Sequence, residues 1–534
     1  MKAVSAVVKR HFGVVAASLV ALALTGCGGG GGASGAVPPP PPPNSTGIPP
    51  SASVAQQCDP ANPLAPAASR TGTLATEKQW IRSYFDENYL WYKEVPAIDA
   101  NLANYVLPAS QVDSRGVPSS LGNYFQALKT PAVTPSGARK DQFSFTYSTT
   151  EWNKLSQSGI TFGYGIEWAA IATAPPRKFI VAFTEPGSSA GSAGVLRGAE
   201  LVAVDGNDFV NGNNVAALNA GLFPVAANES HIFTIRDVGA TATRNVTLTS
   251  GNVTKTPVQN VKTVATPTGT VGYLTFNDHI ATSEAQLISA VNTLKAANIS
   301  DLVLDLRYNG GGYLFIASEL AYMIAGATAT NGKNFETTQH NDKRSAENRP
   351  TPFYNTSCVL NASFQCTNQQ PLPTLNLNRV YILTSGDTCS ASEAIINSLR
   401  GIDVDVRLIG GTTCGKPYGF TAKDNCGVSY FPIEFTGVNA KGFGDYSDGF
   451  IPGIPSTGAL PTNVAGCKAS DDYSKQLGDP TEGMFAAALS YRASGSCPAS
   501  SIAGNAKAGM LESADQSVLL RPPVRENRIY LPRS

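Results

Sequence analysis

The stretch Tyr381–Gly419, YILTSGDTCSASEAIINSLRGIDVDVRLIGGTTCGKPYG, decides how the rest of the chain is read. Val380–Leu383 is an apolar strand, a turn of small residues follows, and Ser392–Arg400 has helical spacing. Val404–Ile409 is a second strand, leading to Gly415-Lys416. A serine on a strand-to-helix turn is held clear of the packed sheet, and the free N–H groups of the helix start can receive an oxyanion. The second strand can return beside the first and bring Lys416 back to that turn. A serine hydroxyl is a weak nucleophile without a base, and a buried lysine can serve as one. Ser390 and Lys416 are therefore the candidate pair.

Upstream, the pattern from residue 263 is α/β. Val271–Phe276 (VGYLTF) and Asp301–Leu306 (DLVLDL) are strands, and Ser283–Asn298 between them is an amphipathic helix capped by Ser283, with Glu284 in its first turn. The second strand ends in Arg307-Tyr308-Asn309-Gly310-Gly311-Gly312, and a helix follows over Tyr313–Ile324. Such folds place ligands at Gly-rich strand ends, where bare N–H donors can approach a substrate closely. Downstream, Asn425-Cys426-Gly427 is a hairpin turn, Phe443–Ile454 is a Gly-rich surface loop, and Asp479–Ala493 is a helix starting at Pro480.

From 158 to 262 the pattern is one of short strands, including Phe179–Phe183, His231–Ile235 and Val246–Leu248. From 75 to 157 it is mostly helical: Trp80, Ile81, Tyr84, Phe85, Leu90 and Trp91 recur near helical spacing, with Thr76 as a possible N-cap, and Leu121–Leu128 is a second helix. Residues 28–74 hold runs of glycine and proline that cannot bury a core and read as a linker. Residues 1–27 combine Lys2, Lys9 and Arg10 with a short apolar run, Val14–Leu24, and read as a signal peptide.

Lys plus Arg equals Asp plus Glu at 39 each, so no basic excess points to nucleic acid. Nine cysteines in an exported chain favour disulfides over metal, since there is no C-x-x-C and only four histidines. Cys358 with Cys366 is the expected local pair. Two other motifs are decoys. Gly187-Ser188-Ser189-Ala190-Gly191 matches a nucleophile elbow but follows Pro186 and precedes only a short turn. Gly410 to Lys416 matches most of a phosphate-binding loop, but Pro417 stands where a hydroxyl is required. His279 follows a strand and reads as a solvated loop histidine, and Ser392 reads as a helix cap.

Four stretches together resemble the C-terminal processing (tail-specific) serine peptidases: PGSSAGSAGVLRGAELVAVDG from Pro186, VGYLTF, DLRYNGGG, and Ser390-Ala391-Ser392-Glu393 with Gly415-Lys416. The first is similar to a PDZ signature. The resemblance implies a multidomain α/β protein. It would comprise a helical N-terminal domain (75–157), a PDZ-like β-rich domain (158–262), an α/β crotonase-like or ClpP-like peptidase domain (263–500) and a C-terminal tail (501–534). It implies Ser390 as nucleophile, Lys416 as general base, Glu393 as their support, and N–H groups of Gly311 and Ala391 as the oxyanion hole. Tyr164, Gly165 and Ile166 would be the loop that receives a peptide carboxylate. Leu24-Thr25-Gly26-Cys27 resembles a lipobox, with Cys27 acylated and the protein anchored in a bacterial envelope, facing the periplasm from the outer membrane. A Cys389–Cys414 disulfide would clamp the pair, although either cysteine could bond elsewhere. Asn309-Gly310-Gly311-Gly312 departs from the family's Asn-Pro-Gly-Gly. The expected partners are protein substrates with disordered C-termini, with an adaptor or oligomer as a further option. No cofactor is implied. The alternative is an inactive PDZ adaptor lipoprotein on a peptidase scaffold. The tail could also visit the chain's own PDZ groove.

Overall fold

The computed structural model describes residues 47–498, apart from 114, 225, 361–364 and 454–460, together with 528–529. The signal segment, Cys27 and most of the tail lie outside the described residues. No helix among the described residues is long and apolar enough to cross a membrane.

The first described residues correct the expected linker. Residues 48–73 lie on the folded body, because Cys58 is disulfide-bonded to Cys426 and both are fully buried. Asn62 Nδ2 donates to Glu77 Oε1 (3.1 Å) and to the Cys426 carbonyl (3.2 Å). Two anchoring residues inside low-complexity sequence outweigh its composition. Thr73, not Thr76, then caps helix α1 (Leu74–Asn88), and Thr76 returns the hydrogen bond. Helix α2 (Ser119–Ala127) and strand β1 (Phe145–Ser148) follow. The register of β1 sets Phe145 opposite Phe431, with their rings stacked 4.3 Å apart. One apolar core runs from Trp80 and Phe125 through Phe431 to Leu399, so the helical segment shares its core with the α/β segment that follows residue 263.

The β-rich segment is an antiparallel sheet in the order β2 (Ile166–Ala172), β3 (Lys178–Thr184), β4 (Glu200–Val204), β5 (Ser230–Arg236) and β6 (Arg244–Thr249). Helix α3 (Val215–Leu222) connects β4 to β5. Phe179, Val181, Leu201, Leu218 and Phe233 form a separate core, which gives this β-rich segment its own stability. Strand β2 lies at the edge of this sheet.

The second large sheet begins with β7 (Val258–Thr266) and β8 (Gly269–Phe276), an antiparallel pair. Helix α4 (Ser283–Ala296), strand β9 (Asp301–Asp305), the two-residue strand β10 (Gly312–Tyr313) and helix α5 (Leu314–Thr330) follow. Then come β11 (Arg379–Thr384), α6 (Ala391–Gly401), β12 (Asp405–Gly410), β13 (Val428–Phe431, the partner of β1), β14 (Ile451–Gly453), β15 (Asn463–Lys468) and α7 (Gly483–Ser494). The sheet order is β7-β8-β9-β11-β12-β15-β14, parallel from β8 onward. Leu302, Leu304 and Ile382 face the core beneath α4, α5 and α6, while Val303, Leu383 and Ile409 face α7. Burial on both faces explains why these strands are apolar throughout rather than alternating. The expected surface loop after Phe443 is also corrected, since Tyr446 and Phe450 are buried and stacked 4.6 Å apart.

Candidate active site

Ser390 ends the turn after β11 and stands immediately before α6. Its φ is +59°, a left-handed conformation that costs a non-glycine residue energy and is tolerated where surrounding structure enforces it. Part of that enforcement is covalent: Cys389, the preceding residue, is disulfide-bonded to Cys414. The Ser390 Oγ is buried and has no hydrogen-bond partner among the described residues.

The turn is closed by one carboxylate. Glu393, in the first turn of α6, accepts the backbone N–H of Ser390 (3.0 Å), Gly415 (2.9 Å) and Lys416 (2.8 Å), and the hydroxyl of Thr413 (2.5 Å). Its burial is complete and pushes its pKa up, while the four donors act in the opposite direction. Lys416 is also fully buried. Its Nζ lies 4.4 Å from the ring centre of Phe420 and 5.2 Å from that of Phe143. The structure thus brings the turn of Ser390 and the backbone of Lys416 onto the same side chain.

The Gly-rich strand end meets this turn from β9. A Cβ on Gly311 (φ +100°) would stand 2.8 Å from the Ser390 Cβ and 2.9 Å from the Ala391 nitrogen, so only glycine fits there. The Gly311 N–H, however, is donated to Asn309 Oδ1 at 2.9 Å. Gly311 therefore does not present its N–H as a free oxyanion donor in this arrangement. Ala391 holds the first position of α6, where no turn of helix precedes it to accept its N–H.

Two sequence expectations are reversed here. His279 is fully buried rather than solvated, packed on Phe276 at 4.4 Å. Its Nδ1 donates to Asn309 Oδ1 (2.9 Å), and its backbone N–H donates to the Gly311 carbonyl (3.0 Å). Burial drives its pKa down to about 3, so the ring is neutral. Ser392 does not cap the helix, and its hydroxyl donates to the Asn309 carbonyl at 3.1 Å. Both residues brace the glycine loop against the serine turn.

In the β-rich segment, the Tyr164 hydroxyl donates to the Gly221 carbonyl on α3 at 3.0 Å, and its ring meets Phe233 edge-on. The carbonyls of Tyr164 and Gly165 accept N–H groups of Ala190 (3.0 Å) and Glu185 (2.9 Å), and Ile166 opens edge strand β2. A buried ionic cluster joins this domain to the glycine loop, a feature that no spacing in the sequence reveals. Arg197 Nη1 donates to the Tyr308 hydroxyl at 2.6 Å, and Arg197 is paired with Asp471. Arg307 bonds Asp471 (2.6 Å) and Glu482 (2.8 Å).

Comparison with known proteins agrees with this architecture. Residues 270–423 match the model of peptidase family S41, and residues 76–145 match the peptidase S41 N-terminal domain. A carboxyl-terminal-processing protease of Picosynechococcus sp. (strain ATCC 27264 / PCC 7002 / PR-6) is 28% identical over 174 residues, 32% of this chain and 39% of that protein. The chain thus spans about two fifths of the length of that curated relative. Among solved structures, a putative S41 protease from Bacteroides fragilis NCTC 9343 superimposes with a TM-score of 0.57 at 22% identity, covering 78% of this chain and 97% of the other. The photosystem II D1 C-terminal processing protease superimposes with a TM-score of 0.41 at 18% identity, covering 73% of this chain and 95% of the other.

Proposed function

We propose that this chain, which belongs to peptidase family S41, is an exported serine endopeptidase that cleaves unstructured or C-terminal segments of proteins with a Ser390/Lys416 dyad. One observation carries the reading: the Glu393 carboxylate ties the N–H of Ser390 to that of Lys416, beside a buried serine hydroxyl with no hydrogen-bond partner among the described residues.

In this reading Lys416 acts as the base in its unprotonated form, which complete burial favours. Ser390 Oγ attacks the scissile carbonyl and its proton passes to Lys416 Nζ. The oxyanion is held by the Ala391 N–H, joined by Gly311 once its N–H turns away from Asn309. Collapse of the tetrahedral species breaks the C–N bond, and Lys416 gives its proton to the leaving amine. Water then attacks the acyl ester, loses a proton to Lys416, and releases the acid with Ser390 restored.

The PDZ-like domain would hold the substrate's terminal carboxylate at Tyr164, Gly165 and Ile166, with the peptide added to edge strand β2. The sheet order supports this, since β2 has β3 on one side only. Cys27 would carry lipid and fix the enzyme to the bacterial envelope, facing the periplasm from the outer membrane.

The test is hydrolysis of a disordered protein by the wild type and by Ser390→Ala and Lys416→Met variants. The reading requires cleavage by the wild type and a loss of about a thousandfold or more in each variant. Equal cleavage by all three would refute it.

A further inference from the structure

Strand β10 has two neighbours. On one side the His279 N–H donates to the Gly311 carbonyl (3.0 Å), and the Tyr313 N–H donates to the His279 carbonyl (2.8 Å). Alternation along an extended backbone then turns the N–H and C=O of Gly312 to the opposite side. That side is occupied by the chain's own C-terminal segment. Arg528–Ile529 forms strand β16 and pairs parallel with β10, Gly312 opposite Arg528 and Tyr313 opposite Ile529.

The position of this pair gives it meaning. Gly312 follows Gly311, whose Cα is packed against the Ser390 turn. A peptide backbone lying along β10 therefore passes directly beside the candidate nucleophile. Backbone pairing of this kind is indifferent to side chains and supplies affinity for any extended segment, which is what a broad peptide cleft requires. The same edge cannot hold two strands. Connection within one chain also gives the segment an effective concentration that a dissolved peptide must exceed.

We infer that the open edge of Gly312–Tyr313 is the cleft's main-chain docking strand and that the segment around Arg528–Ile529 is its resident ligand, competing with substrate for it. The tail is thus assigned to the peptidase cleft rather than to the PDZ groove. As a statement about turnover this rests on the peptidase reading; as a statement about occupancy it does not.

The experiment keeps the two apart. Arg528 and Ile529 are both replaced by proline in the full chain, which removes two backbone donors. Three quantities are measured: amide exchange over residues 310–313, binding of a fluorescent peptide of residues 521–534, and turnover of a disordered protein. Exchange at Gly312 should accelerate about tenfold or more in the double variant, while Tyr313, whose N–H is donated to the His279 carbonyl, serves as the internal reference. The labelled peptide should bind the double variant and not the wild type, with a scrambled peptide inert in both. The same binding should persist when Ser390→Ala is added. Turnover at low substrate should rise several-fold, with KM lowered and kcat little changed. Unchanged exchange together with no binding in the double variant would overturn the inference. If exchange and binding respond while no variant hydrolyses anything, the occupancy stands and the peptidase reading falls.

Discussion

The Glu393 carboxylate accepts the backbone N–H of Lys416 at 2.8 Å, across a separation of 23 residues, while also accepting that of Ser390 at 3.0 Å. A single buried acid thereby fixes where the lysine-bearing loop crosses the serine turn. Replacing Glu393 with Ala leaves three buried N–H groups and the Thr413 hydroxyl without their acceptor. Each unpaired buried group costs roughly 1–3 kcal/mol, and partial relaxation should leave a net loss of about 2–5 kcal/mol. Denaturant unfolding measures the loss, and activity should fall further than stability explains.

The neutral His279 gives a signed pH dependence. Its folded pKa of about 3 lies below the ordinary 6.5, so the unfolded chain binds a proton there that the folded chain refuses. Its contribution is fully present above about pH 6.5 and is lost as pH falls toward 3, by up to about 5 kcal/mol. Acid unfolding of wild type and His279→Gln should show a shallower acid limb in the variant. An identical limb would remove His279 from the account.

The Cys389–Cys414 disulfide closes a loop of 25 residues around α6 and β12. Loop-closure entropy assigns such a bond about 3 kcal/mol. Replacing both cysteines with alanine should lower the unfolding midpoint accordingly. It should also lower kcat more than the same change at Cys358 and Cys366, whose bond spans eight residues away from the serine turn.

Arg197 links the PDZ-like domain to Tyr308, the residue before Asn309. Arg197→Gln leaves Asp471 with one cationic partner fewer in a buried cluster, at a cost of about 3–5 kcal/mol if nothing relaxes. Tyr308→Phe removes only a hydroxyl and should cost about 1 kcal/mol. If the cluster positions the glycine loop, Tyr308→Phe should lower kcat at unchanged affinity for a peptide bound to the PDZ-like domain. Isothermal calorimetry and steady-state kinetics separate these two quantities.

Most of this architecture was legible because its strands are buried on both faces. VGYLTF, DLVLDL and Val380–Leu383 are near-continuous apolar runs, and each lies within an observed strand or at its edge. The Ser390 turn was readable from its small residues ahead of a helical period. What composition hid were single side chains acting at long range. Cys58 sits among prolines and alanines, and nothing local shows that it bonds a cysteine 368 residues away. His279 has no apolar periodicity around it, since its burial comes from the glycine loop folding over Phe276. Arg197 and Asp471 are each unremarkable until two segments meet. Gly311 is the expected oxyanion donor, but the direction of its N–H depends on the Asn309 side chain, which spacing cannot report.

The central claim is that Lys416 activates Ser390, and covalent trapping tests it most directly. A β-lactone acylates an activated hydroxyl, and peptide mapping by mass spectrometry locates the adduct. The account predicts an adduct on Ser390 in the wild type and essentially none in Lys416→Met at the same pH and exposure. Equal labelling of Ser390 in both proteins, or an adduct on another hydroxyl alone, would contradict it.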